Sequence, residues 1–529
     1  MDVRLYDETY YLCQGLYQPP SAWLADYSAL YSGWYRFLSV WEPDPVGLYY
    51  LNYRLWTALL GFIVFFLARL SGSSFWIAAF WALSATAAQL GLPLWPKAGH
   101  LALLGSAVGL WGGLKWRHRP VLAWVWVSGV AFCLSWVRPE FLAGTFLGIC
   151  GLVLAVFRTQ LLLPNFRVHF WVWIPFILGI GFVFLWGFPA GGSGRGMVAF
   201  GQHFVHNWRN FSGHSKGDFM EDWVNWREIC IRLFGTDSQI FLALRNRPDL
   251  FLAHFWFNFK YFIWNGFQFF FETLFPQRLW PVSVPIAVGL SWLVLEYLHD
   301  FSLLNRWWRS ALAFFKSNLW IWVLALPSVL AALLFQPRPH YLLPLLSLFV
   351  FGLGKWFALV DLPKLKGKAG NGLGIVALLI LLWILPGTSS FFALKQVSAQ
   401  SPSFPSGPFS VQTSDGMKQK ELILRLQQEA WPEGSRWFDA STGASGFLGT
   451  RIQQFGKTGF EMNYEELANF DQFLVRNNIS HVLLRYTIRF DHALTRNPAF
   501  AHLRAHPEEM GWRKRALTSY GDSVLVRNY

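Results

Sequence analysis

Ten apolar segments divide the first 390 residues of the chain and restrict its possible folds more than any other feature. Each has roughly 15 to 22 residues, close to the length that crosses a bilayer core of about 30 Å. A segment exposed to lipid must satisfy its own backbone hydrogen bonds, so each is predicted to be a helix. The predicted spans lie near residues 49–69, 75–92, 98–114, 120–136, 140–157, 168–188, 282–298, 318–335, 341–360 and 372–386.

Composition and charge agree with insertion in a membrane. Hydrophobic residues make up 54% of the 529 residues and charged residues only 14%, whereas about a quarter is typical of soluble domains. The net charge of +14 would suggest a nucleic-acid partner in a soluble protein. Here much of it lies in short loops between apolar segments, where it sets orientation. We therefore expect a polytopic α-helical protein of the cell (inner) membrane with no nucleic-acid partner.

Alternate loops differ in charge, which predicts the sidedness of the chain. The loops rich in Lys and Arg are assigned to the cytoplasm by the positive-inside rule. Residues 1–48, the long loop 189–281 and everything after Pro386 then lie outside. The short outer loops contain isolated basic residues, namely Lys97, Arg138 and Arg338.

Residues 1–48 contain no predicted span and no signal peptide. An outer amino terminus requires a helix that carries it across the membrane, so we expect the natural protein to have one more helix before Met1. A helical stripe in this region predicts an amphipathic helix on the membrane surface or packed against protein. The stripe consists of Leu30, Trp34, Phe37, Leu38 and Trp41.

The long outer loop has three notable stretches. A glycine-rich run at 191–196 is interpreted as a linker, because the strand and helix that flank a phosphate-binding loop are missing. His203 and His206 lie one helical turn apart, but spacing fixes no third metal ligand. The aromatic stretch 250–275 includes polar residues and is predicted to be an interfacial or groove-lining helix rather than a span.

The composition changes after the membrane module, which is assigned to residues 49–390. Residues 391–414 include a run rich in Ser and Pro and are predicted to be a linker. The pattern of residues 415–529 predicts a small α/β domain on the extracytoplasmic side. We expect this domain to act as a lid or acceptor-docking module. Its predicted helices lie near 417–430, 464–477 and 498–509, and its strands lie around Trp437, at 480–486 and in a pair around Gly521 and Asp522.

Asp7 and Glu8 form a carboxylate pair at the predicted edge of the bilayer. Such a pair is costly to desolvate, so it faces either water or a buried polar site, and we favour the polar site. The outer face of a membrane has no nucleotide supply, so a transferase there must use lipid-linked donors. It then needs a base for the acceptor hydroxyl and cations for the departing phosphate.

Isolated cationic groups at the same outer level are predicted to bind the donor phosphate. Any one of them could instead extend towards lipid headgroups, but their shared level with the acidic pair favours the functional interpretation. Arg338 and His340 are the first choice for contact with phosphate. The predicted phosphate-binding set is Lys97, His100, Arg138, Arg338, His340 and Tyr341.

This layout resembles the GT-C superfamily of polyprenyl-phosphate-dependent glycosyltransferases, in the branch of protein O-mannosyltransferases and the aminoarabinose transferase of lipid A. The family's acidic motif, written DE, DxD or ExD, is matched by Asp7 and Glu8 in YDETYY. PRPHYLLPL at 337–345 is similar to the aromatic and basic start of a late family helix, and SWVRPEF at 135–141 resembles a recurrent Arg-Pro-Glu turn. The resemblance implies that the acidic pair supplies the base or acceptor-orienting acids, with Asp7 the preferred base.

The resemblance also implies transfer of a hexose or pentose, with inversion, from a polyprenyl-phosphate sugar to a lipid, glycan or protein acceptor on the outer face. No cofactor is expected. A second outer acid, which holds a divalent metal in some branches, has no match between Leu92 and His100, with Glu140 the nearest substitute. No metal is therefore predicted. The alternatives are a surface-polysaccharide polymerase or ligase that works through the loop 189–281, and a secondary transporter, which internal repeats would have favoured.

Overall fold

The computed structural model of the protein describes its helical module and its carboxyl-terminal domain in several stretches. The described residues are 7–23, 25, 28–91, 97–159, 170–189, 195–212, 226–237, 239–274, 309, 312–314, 316–359, 418–439, 443–455, 466, 469–485, 488 and 492–528. The predicted spans at 282–298 and 372–386, the linker at 391–414 and most of the glycine run lie outside these residues.

Helices account for most of the described part of residues 1–390, as the sequence predicts. Up to residue 190 they are α1 (Asp7–Tyr17), α2 (Ala29–Leu38), α3 (Pro45–Ser71), α4 (Phe75–Gly91), α5 (Ala98–Lys115), α6 (Pro120–Leu134), α7 (Phe141–Thr159) and α8 (Ile174–Trp186). The later helices are α9 (Arg195–Ser212), α10 (Trp226–Phe234), α11 (Ile240–Asn246), α12 (Pro248–Leu274), α13 (Ile321–Leu334), α14 (Pro339–Leu342) and α15 (Leu346–Leu359).

Among the described residues, α3 is the one helix that is both long and apolar enough to cross a membrane by length and composition. Five shorter apolar helices lie at Phe75–Ala88, Pro120–Leu134, Phe141–Phe157, Phe170–Trp186 and Ile321–Leu334. The helical character of these predicted spans is confirmed. Their crossing of a membrane stays a prediction.

The last described helix of this module is interrupted near its start. The segment predicted as one span at 341–360 forms α14, a 3-10 turn at Leu343–Leu345, and then α15. Pro344 lies in the turn and has no backbone N–H to continue an α-helical ladder, which explains the interruption. Arg338 precedes Pro339 and is extended, as residues before proline prefer. The break lies directly after the turn that carries Arg338, His340 and Tyr341.

Helix α2 differs from the predicted amphipathic stripe. Its buried face consists of Ala29, Tyr31, Ser32, Tyr35 and Leu38. Phe37 and Trp41, which belong to the predicted apolar stripe, are 54% and 62% exposed. The buried face is therefore partly polar and packs on protein, because α1 supplies a hydrogen-bonding partner that the hydrophobic pattern does not reveal.

Helix α12 contains residues 250–274 of the predicted aromatic stretch 250–275 and packs against α13. His254 Nε2 is 3.0 Å from the Leu334 carbonyl oxygen, and the Asn258 side-chain amide donates to the Leu333 carbonyl oxygen at 2.8 Å, both at the end of α13. Near its other end, Phe270 stacks on Phe349 of α15 at 4.6 Å between ring centroids. Its polar side chains thus line the groove against α13. Its exposed apolar side chains include Leu252, Trp256, Ile263, Trp264 and Phe267.

The carboxyl-terminal domain contains a five-stranded mixed sheet, which confirms the prediction of a small sheet-containing domain. Its strands are β1 (Ser435–Asp439), β2 (Ile452–Phe455), β3 (His481–Leu484), β4 (Trp512–Ala516) and β5 (Ser523–Arg527), in the order β2-β1-β3-β5-β4. Strand β1 is parallel to β2 and to β3, whereas β5 is antiparallel to β3 and β4. The helices are α16 (Lys418–Gln428), α17 (Phe470–Arg476), α18 (His492–Thr495) and α19 (Pro498–Ala505). Strand β2 was not predicted, because IQQF has two polar residues in four.

The domain packs directly on the helical module. Leu12 of α1 lies in the same hydrophobic core as Leu422 of α16, Trp437 of β1 and Phe447. The Lys420 ammonium nitrogen is 5.4 Å from the ring centroid of Tyr50 in α3, in cation-π geometry. One continuous core therefore joins the domain to the start of the chain.

Replacement of Gly15 by Ala tests the packing of α1 on α2. A Cβ at Gly15 would collide with the Ser32 carbonyl oxygen, which belongs to backbone and cannot rotate away. We expect Gly15→Ala to lower the free energy of unfolding by about 1–3 kcal/mol, measured by denaturant unfolding in detergent.

Gly352→Ala is the matched control, because Gly352 lies in α15 and a Cβ there would meet nothing within 4 Å. It should be neutral, or stabilising by up to about 1 kcal/mol through helix propensity. Equal behaviour of the two variants would contradict the close approach of α1 and α2.

Candidate active site

The acidic pair begins α1, where carboxylates interact favourably with the amino-terminal end of the helix dipole. The two acids have different surroundings. Glu8 is 1% exposed, whereas Asp7 is only partly buried. One acid of the pair is thus fixed inside the protein and the other lies at its margin.

Four hydrogen bonds hold the Glu8 carboxylate. Its Oε1 accepts from the Tyr31 hydroxyl at 2.6 Å, from the Tyr35 hydroxyl and from the Asn52 amide at 3.1 Å. Its Oε2 accepts from the backbone N–H of Lys97 at 2.7 Å. These donors come from α2, α3 and the residue before α5, so Glu8 ties four segments of the chain together.

Asn52 completes this network from inside the apolar helix α3. Its side-chain nitrogen lies 2.8 Å from the hydroxyl oxygens of both Tyr31 and Tyr35. Its side-chain oxygen accepts a hydrogen bond from the Trp34 indole at 2.8 Å. Burial raises the pKa of the Glu8 carboxyl above its ordinary value, although the two tyrosine hydroxyls and the Lys97 N–H oppose the rise.

Lys97 lies beside Glu8 with its side chain fully buried. Its ammonium nitrogen is 3.5 Å from His100 Nε2 and 5.0 Å from the ring centroid of Tyr53. Burial lowers the pKa of Lys97 to about 7, and the negative charge of Glu8 opposes this shift. Its charge therefore changes near neutral pH.

Arg138 joins the turn before α7 to the turn at α14. Its Nε donates to Glu140 Oε1 at 2.5 Å, and its Nη1 donates to the His340 carbonyl oxygen at 3.0 Å. Its guanidinium carbon lies 4.4 Å from the ring centroid of Tyr341. Arg138 thus fixes the positions of His340 and Tyr341, and Glu140 is occupied by this ion pair.

Arg338 interacts electrostatically with Asp7, the other acid of the pair. Its Nε donates to Gln336 Oε1 at 2.9 Å. Burial lowers the pKa of Arg338, and the negative charge of Asp7 is among the interactions that oppose this shift. Burial also lowers the pKa of His203, and it lowers the pKa of His206 to about 4. The positive charge of Arg338 is the second largest cause of both shifts. Asp7, Arg338 and the α9 histidines therefore share one region.

The eight predicted site residues converge, although their segments are far apart in the chain. The start of α5 approaches α14 closely at Gly99, because a Cβ there would lie 3.0 Å from the His340 carbonyl oxygen. The start of α5, which carries Lys97 and His100, therefore packs against α14. Asp7 and Glu8 lie at this junction through their interactions with Arg338 and Lys97.

The sequence interpretation missed Tyr31, Tyr35 and Asn52, and it considered His203 and His206 only as possible metal ligands. A signal was present for Asn52, which is an amide inside an otherwise apolar predicted span. Tyr31 and Tyr35 are four residues apart and so share one helix face. No three His, Cys, Asp or Glu side chains of the described residues are grouped so that they could hold a metal ion.

Comparison of the chain with protein-family models, with curated proteins and with solved structures found no match. The functional argument therefore depends on the geometry and chemistry of this region.

Replacement of Glu8 by Ala tests its structural role. The variant would leave two hydroxyls, an amide and a backbone N–H without their buried acceptor, and such losses are strongly destabilising. We expect Glu8→Ala to lower the free energy of unfolding by about 3–5 kcal/mol. Asp249→Ala, in an exposed ion pair with Arg247, should leave the unfolding midpoint near that of the wild type. A stable Glu8→Ala protein would contradict the described network.

The lowered pKa of Lys97 makes its predicted phosphate-binding role testable through pH. Because this pKa is lowered to about 7, the ammonium form is present below that pH and is lost above it. If the predicted role holds, a radiolabelled polyprenyl phosphate should bind the detergent-solubilised protein progressively more weakly as the pH rises from 6 to 9. Lys97→Gln should bind weakly at every pH, and Lys115→Gln, at the other end of α5, should retain the wild-type profile. A flat wild-type profile would exclude this role.

Proposed function

We propose that the protein is a membrane glycosyltransferase that moves a sugar from a polyprenyl-phosphate donor to an envelope acceptor on the outer face of the cell membrane. The observation that supports this most directly is the convergence of an acidic pair with buried basic groups from three separate segments. Buried ionisable groups are expensive in any protein and concentrate at functional sites. Both kinds of group required for transfer from a lipid phosphate are present here.

Asp7 is the proposed base, and Glu8 is the proposed positioning acid. Glu8 already accepts four hydrogen bonds, which fixes its orientation and leaves it poorly placed to receive a substrate proton. Asp7 is next to it, partly accessible and in the field of Arg338. A general base must reach the proton that it removes, and Asp7 meets this requirement better.

The proposed reaction is a direct displacement at the anomeric carbon. The acceptor hydroxyl loses its proton to the Asp7 carboxylate while its oxygen bonds to the anomeric carbon. The bond from that carbon to the phosphate oxygen breaks, and its electron pair leaves on the polyprenyl phosphate. Attack from the opposite face inverts the anomeric centre. Positive groups stabilise the charge that develops on the phosphate.

Arg338 is the proposed phosphate ligand, with His340 and Lys97 nearby. Arginine suits this role because its planar guanidinium can bind phosphate oxygens in pairs. Arg138 has a different proposed role, since its Nε donates to Glu140 and its Nη1 donates to the His340 carbonyl oxygen. It holds the α14 turn in place for the residues that bind substrate.

Exposed apolar faces support a membrane location for this chemistry. Large apolar side chains are exposed on α7, α8 and α12, and exposed apolar surface of this kind is typical of contact with another apolar phase. They include Phe146, Val153, Leu154 and Phe157 of α7, Ile177, Leu178, Phe184 and Leu185 of α8, and Trp256, Trp264 and Phe267 of α12. A lipid-linked donor would reach the site from the same phase.

Replacement of Asp7 tests the proposal. Asp7→Asn keeps the shape of the side chain but removes its basic oxygen, so we expect sugar transfer to fall at least 100-fold, in line with the contribution of a general base. Binding of the polyprenyl-phosphate sugar should remain within a few-fold of wild type. Purified protein in vesicles is assayed for transfer from a radiolabelled donor, with Asp249→Asn as the control.

A polymerase or ligase that uses the long loop is the second candidate. It is favoured by the placement of His206 on α9, where the charge of Arg338 acts on it. A neutral imidazole is itself able to accept a proton. If Asp7→Asn retains transfer and His206→Ala abolishes it, the base belongs to α9 and the assignment to Asp7 is wrong.

A further inference from the structure

The sheet of the carboxyl-terminal domain has a topological switch point at β1. From β1 the chain passes to β2 on one side, and the later strand β3 pairs with the other side of β1. All three strands are parallel, so their carboxyl ends lie at one edge. In open α/β sheets, ligands bind in the crevice at this edge, where the strand order reverses.

Helix α1 occupies this edge. The segment after β1 includes the 3-10 helix Ser445–Arg451, which packs along α1. Gly443 faces Thr9, and Gly449 faces the ring of Tyr17, eight residues further along the helix. Burial raises the pKa of the Cys13 thiol to about 12, and the carboxylate of Asp439, the last residue of β1, adds to the rise.

The closest approach is between Gly443 and Thr9. A Cβ built on Gly443 would lie 2.6 Å from Thr9 Oγ1 and 3.5 Å from Thr9 Cβ, and Thr9 is fully buried. Gly443 has φ +112°, which glycine adopts without strain. Asp439 steadies this loop, because the N–H and hydroxyl of Ser445 both donate to Asp439 Oδ2, at 2.9 and 2.8 Å.

Thr9 follows Glu8 directly in α1. Glu8 itself is held by Tyr31, Tyr35 and Asn52. The turn that carries both acids is therefore contacted by Gly443 at Thr9 as well as by the donors to Glu8. A helix turn moves as a unit, so a shift at Thr9 also displaces Asp7 and Glu8.

We propose that the carboxyl-terminal domain positions the acidic pair by clamping α1 at its switch-point edge, with Gly443 as the positioning residue. The helix takes the place that a soluble ligand takes in other α/β sheets. The domain then acts on the reaction through α1 and binds no nucleotide or sugar at this edge. The effect on catalysis depends on the proposed function, whereas the docking of α1 does not.

A disulfide tests the docking independently of activity. The separation of the two Cβ positions at residues 9 and 443 lies within the range found in disulfides, about 3.5–4.5 Å. Thr9→Cys and Gly443→Cys are combined in the full chain with its four natural cysteines changed to Ser and a protease site placed in the Ser- and Pro-rich stretch 396–414. After cleavage, the two fragments should stay joined until a reductant is added.

The control pair is Thr9→Cys with Gly511→Cys. Gly511 lies in the same domain with φ +75°, and a Cβ there would meet nothing within 4 Å. On a denaturing gel, the fragments of this protein should separate without reductant, whereas those of the 9/443 pair should stay joined. Cross-linking of the 9/443 pair at no more than the control level would overturn the docking and the proposal with it.

Gly443→Ala tests positioning in the transfer assay. Its Cβ would push Thr9 away, and misplacement of a reacting group by about 1 Å can lower the rate by about 100-fold. We expect kcat to fall at least tenfold with the KM for the donor nearly unchanged, because the proposed phosphate ligands are on other segments. Gly511→Ala also places an alanine at positive φ, but without the contact, and should retain kcat. Equal kcat values for the two variants would overturn the positioning role.

If the wild-type protein transfers no sugar, the proposed function is wrong, and the clamp is tested by a second measurement. For this test Cys13 is the only cysteine kept in the full chain, and the rate of its alkylation by N-ethylmaleimide is measured. Gly443→Ala should speed the alkylation several-fold by loosening the cover on α1, and Gly511→Ala should not. Equal alkylation rates would overturn the clamp.

Discussion

The buried carboxylate of Glu8 is the interaction on which the rest of the site depends. An ionised carboxylate without partners in an apolar interior is several kcal/mol too expensive to persist. Glu8 persists because the donors come to it from α2, from α3 and from the residue before α5. The positions of these segments are consequently not independent. A change in any donor alters the place where α1 begins, and with it the position of Asp7.

In the proposed reaction the two adjacent acids have different roles. Glu8 is buried and accepts four hydrogen bonds, so it positions α1. Asp7 is partly buried and interacts electrostatically with Arg338, and it is the proposed base. Two of the basic residues also differ in their contacts. Arg338 donates to Gln336. Arg138 is occupied by Glu140 and the His340 carbonyl oxygen, which fixes the turn that follows Arg338.

The sequence predicted the helices better than it predicted their contacts. Long apolar segments such as α3 and α5 were found because length and composition are local properties. The polar inner face of α2 was missed. In the sequence, nothing distinguishes Tyr31 and Tyr35 from other residues of an amphipathic helix, and their hydrogen bonds to Glu8 are visible only in the structure. The isolated charges at helix ends were found individually. Their convergence depends on the packing of α5 against α14, which no local pattern contains.

The same limit applies to the carboxyl-terminal domain. Its pattern of helices and strands predicted a separate module, and a lid or docking role follows naturally from that picture. The sheet is instead continuous with the core around α1, through Leu12, Trp437 and Phe447. A domain that shares a core with the acidic helix cannot open as a lid without exposing that core, and apolar exposure of this kind is unfavourable by about 25 cal/mol for each Å². Permanent contact, with the domain holding α1 in place, is the arrangement that this packing favours.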